Sequence, residues 1–555
     1  MKANSFVVHV AGFALAAVSL MAPAVMAAQS TRADAEKDPV LKAMLQEMDR
    51  SMNELQLKGF AKPFFIEYRI NDVDDFETRA EYGASEGSAH THQRVARVTV
   101  RIGDYKTDSS GVRADGSLQL VTLDDDPLAI RTALWDATDT AYKNALAAYA
   151  QKQAALKEVQ TPPQADDFSQ QKPVIALETP ARLALDEEAW SERMAQASGL
   201  YRRSAAAKGE ELGIQYSNAS FQARAMTTYL VSSEGTILRK STQEFEESFA
   251  VGTQADDGMH LDRSYASTAA SLADLDSSQA FAKHAEEEIA SLAELKKAPL
   301  VEDEYHGPVL LSSDASTDTL RALLSPAVIA TRPALGTQAR TNGAFASSLH
   351  ARVLSDLLNV VDDPGLKNYD GKALLGAYSY DDEGVAAQAV KLVSNGHLQN
   401  YLIGRQPVKD FLQSNGHGRA GIATAPRPHI AVLKISPQDG FSDQQLNQKL
   451  LEIAKSAGLM HAYFVQTMAG AGNPRLLYLV NQDGTRQLVR GAELDDVDER
   501  ALRSSIDAAG KDLLAASYYG DIPETVIAPA LLIDDATVRR ANGRNDKLPF
   551  YPPPR

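Results

Sequence analysis

Hydrophobic positions along the chain recur at helical spacing in some stretches and alternate strictly with polar positions in others. Helical spacing runs through residues 38–59 and again through 124–156, where acidic residues and a proline stand at the start. Alternation over residues 95–105 predicts a half-buried strand. Two more helices are expected around residue 190 and over residues 277–295. The N-terminal half therefore combines long helices with paired strands.

Hairpin signals dominate the chain from residue 305 onward. Asn395 and Gly396 form the dipeptide that most favours a tight hairpin turn, because both positions tolerate positive φ. Further turns are expected at residues 382–384 and 483–484. Strands and helices are interspersed without regular alternation, which predicts the α+β class, with antiparallel sheets and packed helices.

The first residues have the pattern of a secretory signal peptide. Lys2 precedes an apolar run over residues 6–20, and small residues at 25–27 form an expected cleavage site. An uncleaved membrane anchor is the alternative, but the run is shorter than the ~20 residues of a spanning helix, and Pro23 interrupts its end. We therefore expect removal of residues 1–28 and a soluble protein, periplasmic or secreted, in a bacterium.

Composition narrows the function classes. The 555 residues include no cysteine, which excludes disulfides, thiolate metal ligands and a cysteine nucleophile. Export without disulfides fits a bacterial periplasm better than a eukaryotic secretory route. The formal net charge of −17 argues against nucleic acid or a membrane surface as partner, since phosphate recognition relies on clustered Lys and Arg.

Several polar groupings could carry chemistry, and each has a simpler structural interpretation. His90 and His92 share one face of a predicted strand and could bind a metal, but no acidic third ligand lies close in sequence. His284 and Glu288 share a helix face, which a solvated surface explains. Ser85 lies in a G-x-S-x-G match that lacks the strand-to-helix context of a nucleophile elbow.

Acidic clusters and one polar loop complete the candidates. Asp clusters at residues 362–363 and 381–383 precede Pro or Gly, where Asp commonly bonds its own backbone, so structural turns are favoured over catalysis. A glycine-rich loop at 414–419 has the composition of a functional loop at a cleft. No catalytic residue is identified, and the candidate substrate-binding residues are Asn415, Gly416, His417 and Arg419.

The ordered motifs from residue 305 to 440 resemble the TldD/PmbA family, also called modulator of DNA gyrase. The series contains a V-V-D-D turn, a D-D-E-G hairpin, an Asn-Gly turn before L-x-x-Y-L, the loop N-G-H-G-R and a proline-containing strand. The resemblance continues to about residue 536 and shows again in the N-terminal segments VRIGDY and VSSEGT. It implies a two-domain α+β architecture, with domains over residues 29–300 and 301–555.

The same resemblance implies that active members are zinc peptidases with H-E-x-x-x-H on a helix and a cysteine as third ligand. In this chain the corresponding stretch, 308–328, reads as a buried strand followed by a helix capped at Ser316 or Thr317. Arg321 and Ala322 lie near where the His-Glu pair would be. The resemblance therefore implies no metal ligands and no cofactor in this chain, with zinc in a partner subunit.

We therefore expect a zinc-free subunit of an exported family peptidase. It would pair with a metal-bearing family member or with itself and shape a chamber for an extended peptide, which can add as a strand to a sheet edge. A stand-alone peptide- or glycan-binding protein is the alternative. A third possibility is an enzyme with different chemistry, for instance one that uses His417 with acidic partners.

Overall fold

The computed structural model describes residues 30–111, 116–205 and 212–541, together with residues 547 and 549. The expected signal peptide, residues 1–28, lies outside the described residues. Among the helices of the described chain, none combines the length and apolar character needed to cross a membrane.

The described residues of the N-terminal half form seven strands and five α-helices. The strands are β1 (Phe65–Glu81), β2 (Ala84–Arg101), β3 (Ser117–Val121), β4 (Ile175–Leu177), β5 (Tyr216–Ser232), β6 (Ile237–Gln254) and β7 (His260–Ala269). The helices are α1 (Arg32–Ala35), α2 (Pro39–Glu54), α3 (Pro127–Glu158), α4 (Glu187–Ser198) and α5 (Ser278–Lys297). The strands form one sheet in the order β3-β2-β1-β5-β6-β4, with β7 also paired to β6.

Helices α2 and α3 cover one face of this sheet. The apolar stripe predicted for α3 is buried, as Ile130 and Leu134 show with no exposed surface. Asp38 caps α2, because its carboxylate accepts hydrogen bonds from the first-turn amides of Val40 and Leu41. Periodicity thus identified both helices, although α2 ends at Glu54, earlier than its pattern predicted.

Fifteen strands and three helices form the C-terminal half. The helices are α6 (Ser313–Ala327), α7 (Asp443–Ser456) and α8 (Glu499–Ser504). The strands are β8 (Tyr305–Leu311), β9 (Leu358–Asp362), β10 (Asn368–Tyr369), β11 (Lys372–Ala373), β12 (Val390–Ser394), β13 (His397–Leu398), β14 (Gly418–Arg419), β15 (Arg427–Pro428), β16 (Val432–Pro437), β17 (His461–Ala469), β18 (Asn473–Asn481), β19 (Arg486–Val489), β20 (Ala492–Asp495), β21 (Ile506–Tyr518) and β22 (Glu524–Arg540).

Eleven of these strands form one large sheet, ordered β13-β12-β9-β16-β22-β8-β17-β18-β19, with β20 and β21 paired to β22. Most pairs are antiparallel, but β16 with β22 and β8 with β17 are parallel. Asn395 and Gly396 adopt φ values of 49° and 73° in the turn between β12 and β13, which confirms the predicted hairpin. The α+β class is confirmed. The division at residue 300 stays a prediction.

The helix after β8 begins earlier than predicted. Ser312 is its N-cap, since the Ser312 hydroxyl accepts from the backbone N–H of Ala315 at 3.0 Å. Ser316 and Thr317, the predicted caps, lie inside the first turns, where their hydroxyls donate to the carbonyls of Ser313 and Asp314 three residues earlier. The cap prediction was therefore wrong by one helical turn, because a run of Ser and Thr offers several equivalent capping groups.

Candidate functional site

A cavity of about 780 Å³ opens between the N-terminal sheet and the C-terminal half. Strand β6 contributes residues 238–243 to one wall, and the segment around 176–182 lies beside it. The facing wall is built by residues 374–380 with Arg419 and Pro523. Ligand pockets in proteins commonly have volumes of roughly 300–1,000 Å³, so this space is large enough for several residues of a peptide.

One edge of β6 is open where it meets the cavity. The ladder with β4 ends at Arg239, and the ladder with β7 begins at Phe245. No strand of the described chain pairs with that side of β6 over residues 240–244. The segment 178–182 covers part of the gap. The carboxylate of Glu178 accepts from the backbone N–H of Ser241 at 2.9 Å, the Ser241 hydroxyl donates to the Thr179 carbonyl at 2.7 Å, and the side chain of Gln243 donates to the Arg182 carbonyl at 3.0 Å. An unpaired strand edge beside a cavity is the feature that main-chain recognition of a peptide requires.

Arg419 is the member of the predicted loop that lines this cavity. Its side chain is 8% exposed, and its guanidinium lies 4.5 Å from the ring centre of Tyr378. Nε stands 3.6 Å from a carboxylate oxygen of Asp382, and Nη2 donates to the Pro523 carbonyl at 3.4 Å. Nε and Nη1 make no hydrogen bond within the described chain. A buried guanidinium with unused donors is costly unless a ligand satisfies them.

The rest of the predicted loop is structural and largely enclosed, with Asn415 half-buried and Gly416 and His417 buried, whereas the sequence suggested an exposed polar loop. Asn415 accepts from the backbone N–H of Ile403 at 2.9 Å through its side-chain oxygen. Gly416 has φ of 76°, and a Cβ there would lie 2.3 Å from the carbonyl oxygen of Ala386. Their contact with substrate stays a prediction.

His417 is also enclosed, with no exposed surface. Its Nε2 lies 3.2 Å from a carboxylate oxygen of Asp362, which itself accepts from the backbone N–H of Ala431 at 3.0 Å. Enclosure on all sides removes the solvent access that a catalytic histidine needs. The geometry therefore gives no support to an enzyme based on His417.

The acidic cluster at 381–383 combines a turn with a contact between the two halves. Asp381 accepts from the backbone N–H groups of Val385 and Gly418 at 2.8 and 2.9 Å, which supports the structural interpretation. Asp382 pairs with Lys240 of β6 and accepts from the Ala420 N–H at 2.8 Å. Sequence reasoning missed the Lys240–Asp382 pair, because no local pattern marks a contact between distant segments.

The helix expected to carry the absent zinc motif holds an ion pair instead. Arg321 of α6 pairs with Glu524, and its guanidinium lies 4.0 Å from the ring centre of Tyr518. The Tyr518 hydroxyl donates to Asp318 at 2.8 Å, and burial raises the pKa of Tyr518. His429 Nδ1 lies 3.4 Å from the other carboxylate oxygen of Glu524. Arg321 and Glu524 also line a smaller cavity of about 290 Å³.

These side chains do not fit a zinc ion. The guanidinium of Arg321 forms an ion pair with the carboxylate of Glu524, and its positive charge would repel a metal cation. Within the part of the chain that the structure describes, no group of three or more His, Asp or Glu side chains is arranged to hold a metal.

His90 and His92 lie on β2 as two separate histidine–carboxylate pairs. His90 bonds Asp74 through Nε2 at 2.6 Å and Glu187 through Nδ1 at 2.7 Å. The hydrogen bonds to Asp74 and Glu187 raise the pKa of His90. His92 Nε2 lies 2.6 Å from Asp72. The interpretation as a polar strand face therefore agrees with the observed contacts.

Comparison with known proteins places the C-terminal half in a known family. Residues 304–540 match the family model of the PmbA/TldA metallopeptidase C-terminal domain. A metalloprotease of Methanocaldococcus jannaschii is 30% identical over 108 residues, 19% of this chain and 23% of that protein. A metalloprotease of Methanothermobacter thermautotrophicus is 32% identical over 97 residues, 17% of this chain and 20% of that protein. The matched segments thus span less than a quarter of each relative.

Solved structures resemble the whole fold. TldE from Thermococcus kodakarensis aligns with a TM-score of 0.58 and 13% identity, covering 90% of this chain and 99% of that one. A putative modulator of a DNA gyrase from Thermotoga maritima aligns with a TM-score of 0.57 and 16% identity, covering 89% of this chain and 100% of that one. At these identities the likeness shows the fold alone.

Proposed function

Because the chain belongs to the TldD/PmbA family of metallopeptidase-related proteins, we propose that it acts in proteolysis as a zinc-free, exported, peptide-binding subunit. It associates with a metal-bearing family member or with a second copy of itself, and it presents an extended peptide rather than cleaving it. The observation that carries this proposal is the open edge of β6 beside the cavity between the two sheets.

An extended peptide suits this edge for a geometric reason. A strand rises about 3.3 Å per residue, so residues 240–244, which pair with β5 on one side and have no partner strand on the other, span roughly 16 Å of open edge. Main-chain hydrogen bonds recognise a peptide without regard to its sequence, while the cavity walls contact alternate side chains. An unstructured peptide has its backbone groups free for such pairing, so unstructured peptides are the expected ligands.

The non-catalytic part of the proposal rests on the chemistry of α6. Catalytic zinc needs typically three protein ligands and an open position for water. Arg321 instead pairs with Glu524, and the chain has no cysteine to contribute. Peptide cleavage is therefore assigned to the partner subunit.

Metal analysis combined with a cleavage assay tests the proposal. The purified chain is expected to contain no stoichiometric zinc by mass spectrometry and to leave an unstructured peptide intact. Mixed with a zinc-bearing family member from the same organism, it is expected to co-elute and to change that partner's cleavage rate or preferred sites. One bound zinc per chain with chelator-sensitive cleavage by the chain alone would refute the non-catalytic role.

A stand-alone binding protein for a peptide or glycan is the second candidate. It is favoured by one observation, namely that both the open edge of β6 and a cavity of about 780 Å³ lie within one chain. Failure to associate with any family member, together with retained peptide binding, would select this candidate.

A further inference from the structure

The cavity carries a charge opposite to that of the whole protein. The chain has a formal net charge of −17, but among the described residues six charged side chains line the cavity, and one of these six is acidic. They are Glu178, Arg182, Arg239, Lys240, Lys367 and Arg419. A cleft lined by one sign of charge concentrates ligands of the opposite sign. The cavity is therefore arranged to attract anions.

Neighbouring carboxylates neutralise only part of this charge. Arg239 pairs with Asp38, and its Nε donates to the Glu178 carbonyl at 2.6 Å. Arg182 lies 3.1 Å from Asp72. Asp72 also accepts from Arg94 at 2.8 Å, but Arg94 has a second carboxylate partner in Asp125 at 2.9 Å, so the charges of Arg182 and Arg239 are largely balanced by neighbouring carboxylates.

The deeper end of the cavity has a second shared carboxylate. Asp382 pairs with Lys240 and lies 3.6 Å from Arg419. Burial raises the pKa of Asp382, but the charges of Lys240 and Arg419 outweigh burial and hold its pKa below the ordinary value. One negative charge therefore faces two positive ones, and Arg419 keeps two nitrogens without hydrogen-bond partners.

Lys367 adds a further positive charge at the cavity wall. It is exposed, and no carboxylate of the described residues lies within ion-pair distance of it. The wall therefore combines a buried guanidinium at Arg419 with an exposed ammonium group at Lys367. Both donor types form strong, charge-assisted hydrogen bonds with a carboxylate.

We propose that this cavity selects peptides that carry a carboxylate, held by Arg419 and Lys367 while the peptide backbone lies along the open edge of β6. The inference rests on the proposed peptide-binding function and adds its substrate class. A carboxylate is the ligand group that suits these cationic side chains. Within the chain itself, the carboxylate of Asp382 lies between Lys240 and Arg419. The group can come from an Asp or Glu side chain or from the C-terminus of the peptide.

Fluorescence anisotropy with four labelled peptides of equal length tests the inference. An acidic sequence and its Asn/Gln counterpart are each prepared with a free and an amidated C-terminus, and the intact chain is titrated with chelator present. The acidic peptides are expected to bind about tenfold tighter than the neutral amidated one, and added salt should reduce the difference. Preference that follows the side chains or the free C-terminus identifies the source of the carboxylate.

Variants locate the site. Lys367→Glu is expected to reduce the ratio of affinities for the acidic and neutral peptides at least about threefold, an effect of the size expected for a charge at the rim of a binding site. Arg419→Gln is expected to remove most of it. Lys391→Gln, on the exposed part of β12 away from the cavity, is the matched control and should bind all four peptides as the wild type does.

Each failure has a distinct signature. Equal binding of all four peptides would overturn the acidic selectivity and leave peptide binding standing. An acidic preference that Lys367→Glu and Arg419→Gln leave intact would overturn the assignment to this cavity. Absence of binding by every peptide would overturn the proposed function and this inference with it.

Discussion

Replacing Glu244 with Gln is expected to stabilise the protein by about 3 kcal/mol at alkaline pH and by less than about 1 kcal/mol at pH 5. Glu244 lies on β6 where the two halves meet, and it is 1% exposed. The backbone N–H of Gly520, from the C-terminal half, donates to its carboxylate at 3.4 Å. Burial raises the pKa of Glu244 from 4.5 to about 7, although the charge of Arg224 opposes the shift.

The sign of the effect follows from proton binding. In the unfolded chain this carboxyl group ionises near pH 4.5, whereas in the folded chain it ionises near pH 7. Between these values the folded state keeps a proton that the unfolded state has lost, so stability falls as pH rises and stays lowered above pH 7. At ~1.4 kcal/mol per pH unit the full penalty is about 3 kcal/mol, which Gln removes.

Calorimetric unfolding at pH 5 and pH 8.5 measures this effect. The Glu244→Gln midpoint should exceed that of the wild type by several degrees at pH 8.5, since ~1 kcal/mol shifts the midpoint by roughly 2–4 °C in a domain of this size. Glu286→Gln, at an exposed position of α5, is the control and should match the wild type at both pH values. A variant with the same offset from wild type at both pH values would refute the buried, protonated Glu244.

Three further substitutions test the packing. His417→Ala should lower the free energy of unfolding by about 2–4 kcal/mol in urea titrations, because Asp362 loses a buried partner; unchanged stability would contradict the enclosure of His417. Arg321→Ala should cost about 1–2 kcal/mol by leaving the carboxylate of Glu524 without its guanidinium, whereas equal stability would show that the pair contributes nothing. Leu392→Ala, in the C-terminal core, should cost about 2–5 kcal/mol, and a loss below 1 kcal/mol would contradict the packing there.

The elements that sequence predicted are those fixed by local patterns. The apolar stripe of α3 could be predicted from the sequence, because successive turns of one helix bury the same face and so repeat apolar residues at helical spacing. The turn at Asn395 and Gly396 was readable because positive φ depends on the residues themselves. Both signals lie within a few residues of the structure they specify.

The site was harder to predict because distant segments build it. His417 sits in a loop of Asn and Gly that resembles a surface loop, but its partner Asp362 lies 55 residues away and encloses it. Lys240 lines the cavity and pairs with Asp382, and these two residues come from different halves of the chain. The edge of β6 is open because its ladder with β4 ends at Arg239 and its ladder with β7 begins at Phe245. The amino-acid sequence of β6 itself gives no sign of that gap.

Hydrogen exchange along β6 tests the central claim most directly. The intact chain is compared with and without a saturating acidic peptide, with chelator present so that no metal contributes. Pairing of the peptide with the open edge predicts slower exchange of the amide hydrogens of Ser241 and Gln243, which point away from β5, while exchange in the control strand β12 stays unchanged. Unaltered exchange at these two amides while the peptide is bound would contradict the claim that this edge is the peptide-binding site.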